Sequence, residues 1–191
     1  TFNQNNINTS IDGSFQRFNE FVPKAKKLKM KIRGYVSTCF GCPYEGQVPE
    51  KAVMSVAERL LDLGVNEISI GDTIGVANPR QVKNLTKKLI KLVGPKKLAL
   101  HFHDTRGTGL ANILSGLEAG VKIFDASSGG LGGCPYAPGA SGNVATEDVL
   151  YMLHGMGLQT GIDLDRNVKA SLAMEDILGK SLPSKYLQSQ K

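Results

Sequence analysis

The strongest constraint on the fold of this chain is a fourfold alternation of short apolar runs with longer segments of helical period. Lys31 to Thr38, Glu67 to Asp72, Leu98 to His103 and Val121 to Ser127 read as strands. Pro49 to Leu63 reads as a helix with proline at its start and Gly64 just past its end, the usual asymmetry. Asn78 caps a helix that begins at Pro79 and carries Val82, Leu85 and Leu89 on one face. Gly109 to Ala119, Thr146 to Met156 and Asp165 to Leu178 are further helices. Before the first strand, Ile11, Phe15, Phe18 and Val22 recur at helical spacing until Pro23 disturbs the pattern. Strands alternating with helices in units of roughly 25–35 residues predict an α/β fold with a parallel, helix-covered sheet. Right-handed crossovers make the strands neighbours in chain order.

Polar side chains cluster after the strand ends, at Ser37 to Cys42, Ser69 to Thr73, His101 to Thr105 and Asp125 to Asn143. No glycine fingerprint of a dinucleotide fold follows the first strand. Functional groups at the C-terminal ends of several parallel strands fit a TIM (β/α)8 barrel, whose complete form has eight strands and about 250 residues. Four strands in 191 residues therefore predict one domain, 1–191, holding the second half of a barrel, strands 5–8. Such a half exposes two sheet edges and needs its other half, or a second copy of itself, to cover them.

Composition narrows the function. The net charge is +6, but the basic residues, such as Lys83, Lys87, Lys88 and Lys91, are spread over helix faces. Aromatics are 6% with no tryptophan, which speaks against a nucleic-acid surface. No apolar run approaches the roughly 20 residues of a membrane span. No targeting segment is visible, and three cysteines, an odd number, suit a reducing compartment. Cys39-x-x-Cys42 lacks a second pair for zinc.

The chemistry concentrates in two places. In a strand, His101 and His103 share a face with Ala99, while Leu98, Leu100 and Phe102 point towards the helices. Two imidazoles side by side suit one divalent cation, Mg²⁺, Mn²⁺ or Zn²⁺. Some 30 residues on, the glycine-rich stretch Gly129 to Asn143 carries a thiol, Cys134, and an amide, Asn143. A long loop of this kind is usually functional. A thiol there can move protons or attack as a nucleophile, whereas Asn143 by itself reads as a turn residue before the next helix. Asp72 at its strand end is a candidate acid or base. Arg33 and Tyr35 share a strand face with Ser37, either to hold a carboxylate or thioester oxygen or as a structural ion pair. Gly-Cys-Pro-Tyr occurs twice, at Gly41–Tyr44 and Gly133–Tyr136, by chance or as two related loops at one mouth. His154 reads as an ordinary helix residue.

Taken together, Arg33-Gly-Tyr-Val-Ser37, Gly41-Cys-Pro-Tyr-Glu-Gly46, Glu67 to Gly75, His101-Phe-His-Asp-Thr105, Gly130 to Ala137 and Gly139 to Asp148 resemble the 3-hydroxy-3-methylglutaryl-CoA lyase family. That family belongs to the metal-dependent barrel lyases, with the isopropylmalate and homocitrate synthases. The cysteine-bearing glycine loop is its most specific element. The resemblance implies a retro-Claisen cleavage of 3-hydroxy-3-methylglutaryl-CoA to acetyl-CoA and acetoacetate, a step of leucine degradation and ketone-body formation. It implies a divalent metal, Mg²⁺ or Mn²⁺, on His101, His103 and Asn143. Cys134, Asp72 and His101 become the catalytic groups, and Arg33, Tyr35, Ser69, Lys180 and Lys185 the substrate-binding ones, the two lysines near coenzyme A phosphates. The family's first strands carry an arginine, a metal-binding aspartate and a catalytic glutamate in segments this chain does not contain, so the chain alone is expected to be inactive. The competing expectations are a half-barrel acting only as a binding or assembly module, and a related Claisen-type synthase. The expected partners are an acyl-CoA substrate and a second copy in a homodimer, with no nucleic acid and no membrane. The expected location is the cytoplasm in a bacterium or the mitochondrial matrix in a eukaryote.

Overall fold

The computed structural model describes residues 1–133 and 142–191. Its centre is a parallel sheet of β1 (Arg33–Val36), β2 (Glu67–Asp72), β3 (Leu98–Phe102) and β4 (Ile123–Asp125), adjacent in that order. The register pairs Tyr35 with Ser69, Gly71 with His101, and His101 with Asp125. The expected α/β class, strand order and parallel pairing are all present.

The helices are α1 (Phe2–Ile7), α2 (Ile11–Lys27), α3 (Glu50–Leu63), α4 (Pro79–Val93), α5 (Gly109–Glu118), α6 (Thr146–Gly155), α7 (Leu164–Leu178) and α8 (Lys185–Ser189). Asn78 forms a full capping box with Gln81 at the start of α4, satisfying orphan N–H groups at both ends of the reciprocal pair. Gly64 closes α3 in the left-handed conformation. Two short helices, α1 and α8, and a 3-10 turn at Ser128–Gly130 were not anticipated from the sequence.

The apolar alternation of the strands builds one continuous core. Ile68, Ile70, Leu98, Leu100 and Phe102 meet Leu85, Leu89 and Ile113 from the helices, all within 1% of full burial. Burying an aliphatic side chain of this size contributes roughly 1.5–3 kcal/mol. Helix α5 comes unusually close to the sheet: a Cβ at position 116 would lie 2.5 Å from Leu100 Cδ1, so only glycine permits this packing. Polar bonds tie α5 to the start of α4. Thr108 Oγ1 and Asn112 Nδ2 both donate to the Ala77 carbonyl at 3.0 Å, and Ser115 Oγ donates to the Pro79 carbonyl at 2.7 Å.

The opposite face of the sheet is concave. Arg33 on β1 and Asp125 on β4 meet at 2.6 Å, although three strand spacings in a flat sheet amount to about 14 Å. Side chains alone do not span that distance comfortably, so the curl of the sheet brings them together, as in a barrel wall.

Candidate functional site

Strand alternation places Ala99, His101 and His103 on the concave face. The two imidazole rings lie with centroids 5.2 Å apart. That separation is compatible with both rings bonding one cation at about 2.1 Å. His103 is 8% exposed, and its Nδ1 is buried without a hydrogen-bond partner among the described residues. Burial, then the neighbouring charge of His101, lowers its pKa to about 4. The ring is therefore neutral at pH 7, the form that binds cations.

Asn143 reaches His103 through the backbone. The two residues form an antiparallel bridge. Around it, Asp104 N–H donates to Gly142 O at 3.0 Å, Val144 N–H to Phe102 O at 3.1 Å, and Ser127 N–H to Val144 O at 3.1 Å. The returning chain is thus threaded between the ends of β3 and β4. Asn143 Nδ2 donates to the Leu131 carbonyl at 2.9 Å. Its other amide atom, Oδ1, is buried with no partner among the described residues. Gly132 makes room for this arrangement: its φ is +111°, and a Cβ there would lie 2.5 Å from Asn143 Nδ2.

Buried polar atoms normally have partners. Here an imidazole nitrogen and an amide oxygen, both good ligands for a divalent cation, are orphaned on neighbouring, backbone-paired residues. His101, His103 and Asn143 therefore fit a metal as far as their donor chemistry goes. Among the described residues, no group of three or more His, Cys, Asp or Glu side chains converges as a ready-made metal cluster. The set is two imidazoles and one amide.

Beside His101 lies a network the sequence did not reveal. Asp125 Oδ1 accepts from Arg33 at 2.6 Å, and its Oδ2 accepts from Ser69 Oγ at 3.0 Å. His101 Nδ1 stands 3.6 Å from the same Oδ2. Burial alone would raise the Asp125 pKa, but contacts with His101, Arg33 and Ser69 outweigh it and bring it to about 2. Arg33 also pairs with Glu67 and donates to the Tyr35 hydroxyl at 3.1 Å. Burial works against the guanidinium charge, and Asp125 and Tyr35 more than offset it. The signal that could have found Asp125 is its register: a carboxylate on an inward strand face needs a buried cation, and Arg33 is the cation on that face.

The remaining expected site residues take different positions in the sheet. Ser69 is fully buried and donates to Asp125, so it supports the site from beneath. Arg33 is paired with Asp125 and Glu67. Asp72 pairs in register with Phe102, on the helix-facing side of the sheet, and is 1% exposed. Both its oxygens accept backbone N–H groups, from Val76 at 2.9 Å and Ala77 at 3.0 Å. Burial raises its pKa, against the pull of those two bonds, Arg106 and His101. Asp72 thereby anchors the turn after β2. Tyr35, by contrast, is 62% exposed and faces the concave side.

Lys185 lines a hollow of about 260 Å³ with Asp104, Asn143 and Asp148. Lys180 is exposed and does not border that hollow. Cys134 and most of the second Gly-Cys-Pro-Tyr stretch fall outside the described residues. In the first stretch, Cys42 bridges to Gly46 by mutual backbone bonds. Cys39 and Cys42 are buried free thiols. His154 bonds Thr160 Oγ1 at 2.9 Å on the exposed side of α6. Lys83, Lys87, Lys88 and Lys91 are exposed along α4. No described helix is long and apolar enough to cross a membrane.

Comparison with known proteins places this geometry among relatives. Residues 1–173 match the family described as HMGL-like. A hydroxymethylglutaryl-CoA lyase of Bacillus subtilis is 47% identical over 188 residues, covering 98% of this chain and 63% of the relative. A mitochondrial hydroxymethylglutaryl-CoA lyase of Bos taurus is 46% identical, covering 98% of this chain and 58% of the relative. The structure of an HMG-CoA lyase from Acinetobacter baumannii, in complex with coenzyme A and 3-methylmalate, superposes with a TM-score of 0.93 at 44% identity. That superposition covers 97% of this chain and 61% of the other. The chain therefore spans about three fifths of the length of the relatives it matches.

Proposed function

This chain belongs to the HMGL-like family, and from that premise we propose that it carries the cation-binding wall of a hydroxymethylglutaryl-CoA lyase. The reaction is the retro-Claisen cleavage of 3-hydroxy-3-methylglutaryl-CoA to acetyl-CoA and acetoacetate. The observation that carries the reading is the pair of orphaned ligand atoms, His103 Nδ1 and Asn143 Oδ1, beside the His101 ring.

His101, His103 and Asn143 would hold a divalent cation, Mg²⁺ or Mn²⁺. When bound, the cation supplies Lewis-acid polarisation of substrate oxygens. The protein's own residues do the rest. The Leu131 carbonyl turns the Asn143 amide so that its oxygen faces inward. Tyr35 accepts a hydrogen bond from Arg33, which leaves its own hydroxyl hydrogen free for a thioester or carboxylate oxygen. With the His101 ring given to the cation through Nε2 and facing Asp125 through Nδ1, the proton of the substrate 3-hydroxyl is assigned to the catalytic glutamate of the family's first strands as the neighbouring carbon–carbon bond breaks. That proton loss forms the ketone of acetoacetate, and the bond's electron pair leaves with the acetyl-CoA enolate. Cys134 is assigned to protonate the enolate. Lys185 borders the hollow beside Asn143 and is the better-placed of the two lysines for a coenzyme A phosphate.

The four strands are proposed as strands 5–8 of the barrel. An apolar hollow of about 230 Å³ flanks β1, lined by Phe18, Phe21, Ile32 and Leu60 among others. Another of about 640 Å³ flanks β4, lined by Leu117, Phe124, Leu153 and Ile162 among others. Both lateral sides of the sheet thus offer apolar surface to further chain, as closure of a barrel demands. This chain alone is then inactive. A homodimer is the alternative cover for those sides. The proposed location is the cytoplasm in a bacterium or the mitochondrial matrix in a eukaryote.

The test is cleavage of 3-hydroxy-3-methylglutaryl-CoA with Mg²⁺ or Mn²⁺, by this chain and by a full-length form. Turnover in the full-length form, lost in His103→Ala, is expected. No cleavage and no His103-dependent Mn²⁺ binding in either form would overturn the reading.

A further inference from the structure

We propose that Asp125 is a positioning residue that fixes the His101 ring for cation binding. This rests on the reading of His101 as a ligand given above. His101 and Asp125 are register partners on β3 and β4, so their side chains rise from adjacent points of the same concave face. His101 turns Nδ1 towards Asp125 Oδ2, at 3.6 Å. At this distance the contact is electrostatic, not a hydrogen bond; an imidazole whose Nδ1 faces a carboxylate presents Nε2 in the opposite direction, and outer carboxylates orient ligating histidines in this way.

The carboxylate is itself held from other sides. Arg33 takes Oδ1 at 2.6 Å, and Ser69 donates to Oδ2 at 3.0 Å. Arg33 in turn is steadied by Glu67 and Tyr35. Asp125 is therefore braced by β1 and β2 while it acts on β3, and its rotation is restricted. A plain ion pair between Arg33 and Asp125 would need neither the fully buried Ser69 hydroxyl aimed at the same carboxylate nor the histidine edge beside it. The arrangement links the cation-binding residue to the substrate-facing Tyr35 through one carboxylate and one guanidinium.

Mn²⁺ binding by the full-length protein, read by calorimetry, tests this. Asp125→Asn keeps the side-chain size and removes the charge, and it is expected to weaken Mn²⁺ binding about 10–100-fold. In a His101→Ala background the same substitution is expected to add less than about threefold, because its effect runs through that ring. An Asp125→Asn protein that binds Mn²⁺ like the parent overturns the proposal. Equal losses in both backgrounds overturn it too, since Asp125 would then act without His101. If Asp125→Asn fails to fold, judged by circular dichroism, Ser69→Ala decides: about a 2–5-fold loss of Mn²⁺ affinity supports the brace, and no change overturns it. Parent protein that shows no His103-dependent Mn²⁺ binding overturns the metal reading itself. Parent binding with a silent Asp125→Asn overturns only the role of Asp125.

Discussion

Gly129 donates its backbone N–H to both carboxylate oxygens of Glu147, at 3.0 and 2.8 Å, across 18 residues of chain. The same fully buried carboxylate takes Asn167 Nδ2 at 2.8 Å and the Ser171 hydroxyl. Glu147, on α6, thereby joins the turn that opens the glycine-rich stretch to α7. Glu147→Ala leaves these buried donors without an acceptor, which is expected to cost about 3 kcal/mol or more. Urea unfolding measures it, and an unchanged midpoint would contradict the structural role.

Gly132→Ala puts a Cβ 2.5 Å from Asn143 Nδ2 at a residue with φ +111°. Both the clash and the backbone conformation are unfavourable, together about 2–3 kcal/mol. The expected relief is rotation of the Asn143 amide away from the Leu131 carbonyl. Mn²⁺ affinity should fall along with stability. Loss of stability with undiminished Mn²⁺ affinity would show that the amide orientation does not matter for the cation.

Acid should destabilise the EDTA-treated protein in two phases. His103 is held down to about 4 when folded, below its ordinary value, so the unfolded chain binds more protons. Its stabilising contribution, roughly 3 kcal/mol, is complete above about pH 6.5 and is lost as pH falls through 4. Asp125 is held down to about 2. Its contribution, about 2 kcal/mol, is present above about pH 4 and is lost as pH falls through 2. Thermal melts against pH should lose the upper phase in His103→Ala and the lower one in Asp125→Asn. A single phase unaffected by either substitution would refute this assignment.

Cys39 is buried, donates its thiol hydrogen to the Val36 carbonyl at 3.0 Å, and is pushed up to about 12 by that burial. In a Cys134→Ser background, native Cys39 should resist iodoacetamide at pH 8 and react only after denaturation, because the thiolate is the reactive species. Mass spectrometry of the alkylated peptide reads this. Rapid labelling in the native state would mean that the core at Cys39 opens far more readily than its packing implies.

The strands were legible because their apolar runs are short and sharply bounded, and because β3 alternates two histidines with fully buried Leu98, Leu100 and Phe102. Helix α4 was legible from Asn78 and Pro79. Helix α2 was misjudged at Pro23, which lies inside it. The carbonyl a proline leaves unpaired belongs to the residue four positions earlier, here exposed Asn19, where water can serve it. Helices α1 and α8, of six and five residues, are too short for periodicity to register. In the site, the histidine pair could be seen from alternation alone. Asp125 was marked only by its inward strand face, while Glu147 and the backbone partner of His103 could not be seen, because each depends on contacts between distant parts of the chain. The inward face of Ser69 was readable in principle, but its burial depends on Asp125.

The two feet of the glycine-rich stretch clasp each other. Asn143 Nδ2 grips the Leu131 carbonyl, and Gly142 sits so tightly on Gly132 that a Cβ there would fall 1.8 Å from the Gly132 oxygen. The aim of Asn143 is thus set at the neck, by the strand ends and by its own opposite foot. A substitution at either foot therefore disturbs the amide and the backbone crossing together, as two ends of one knot.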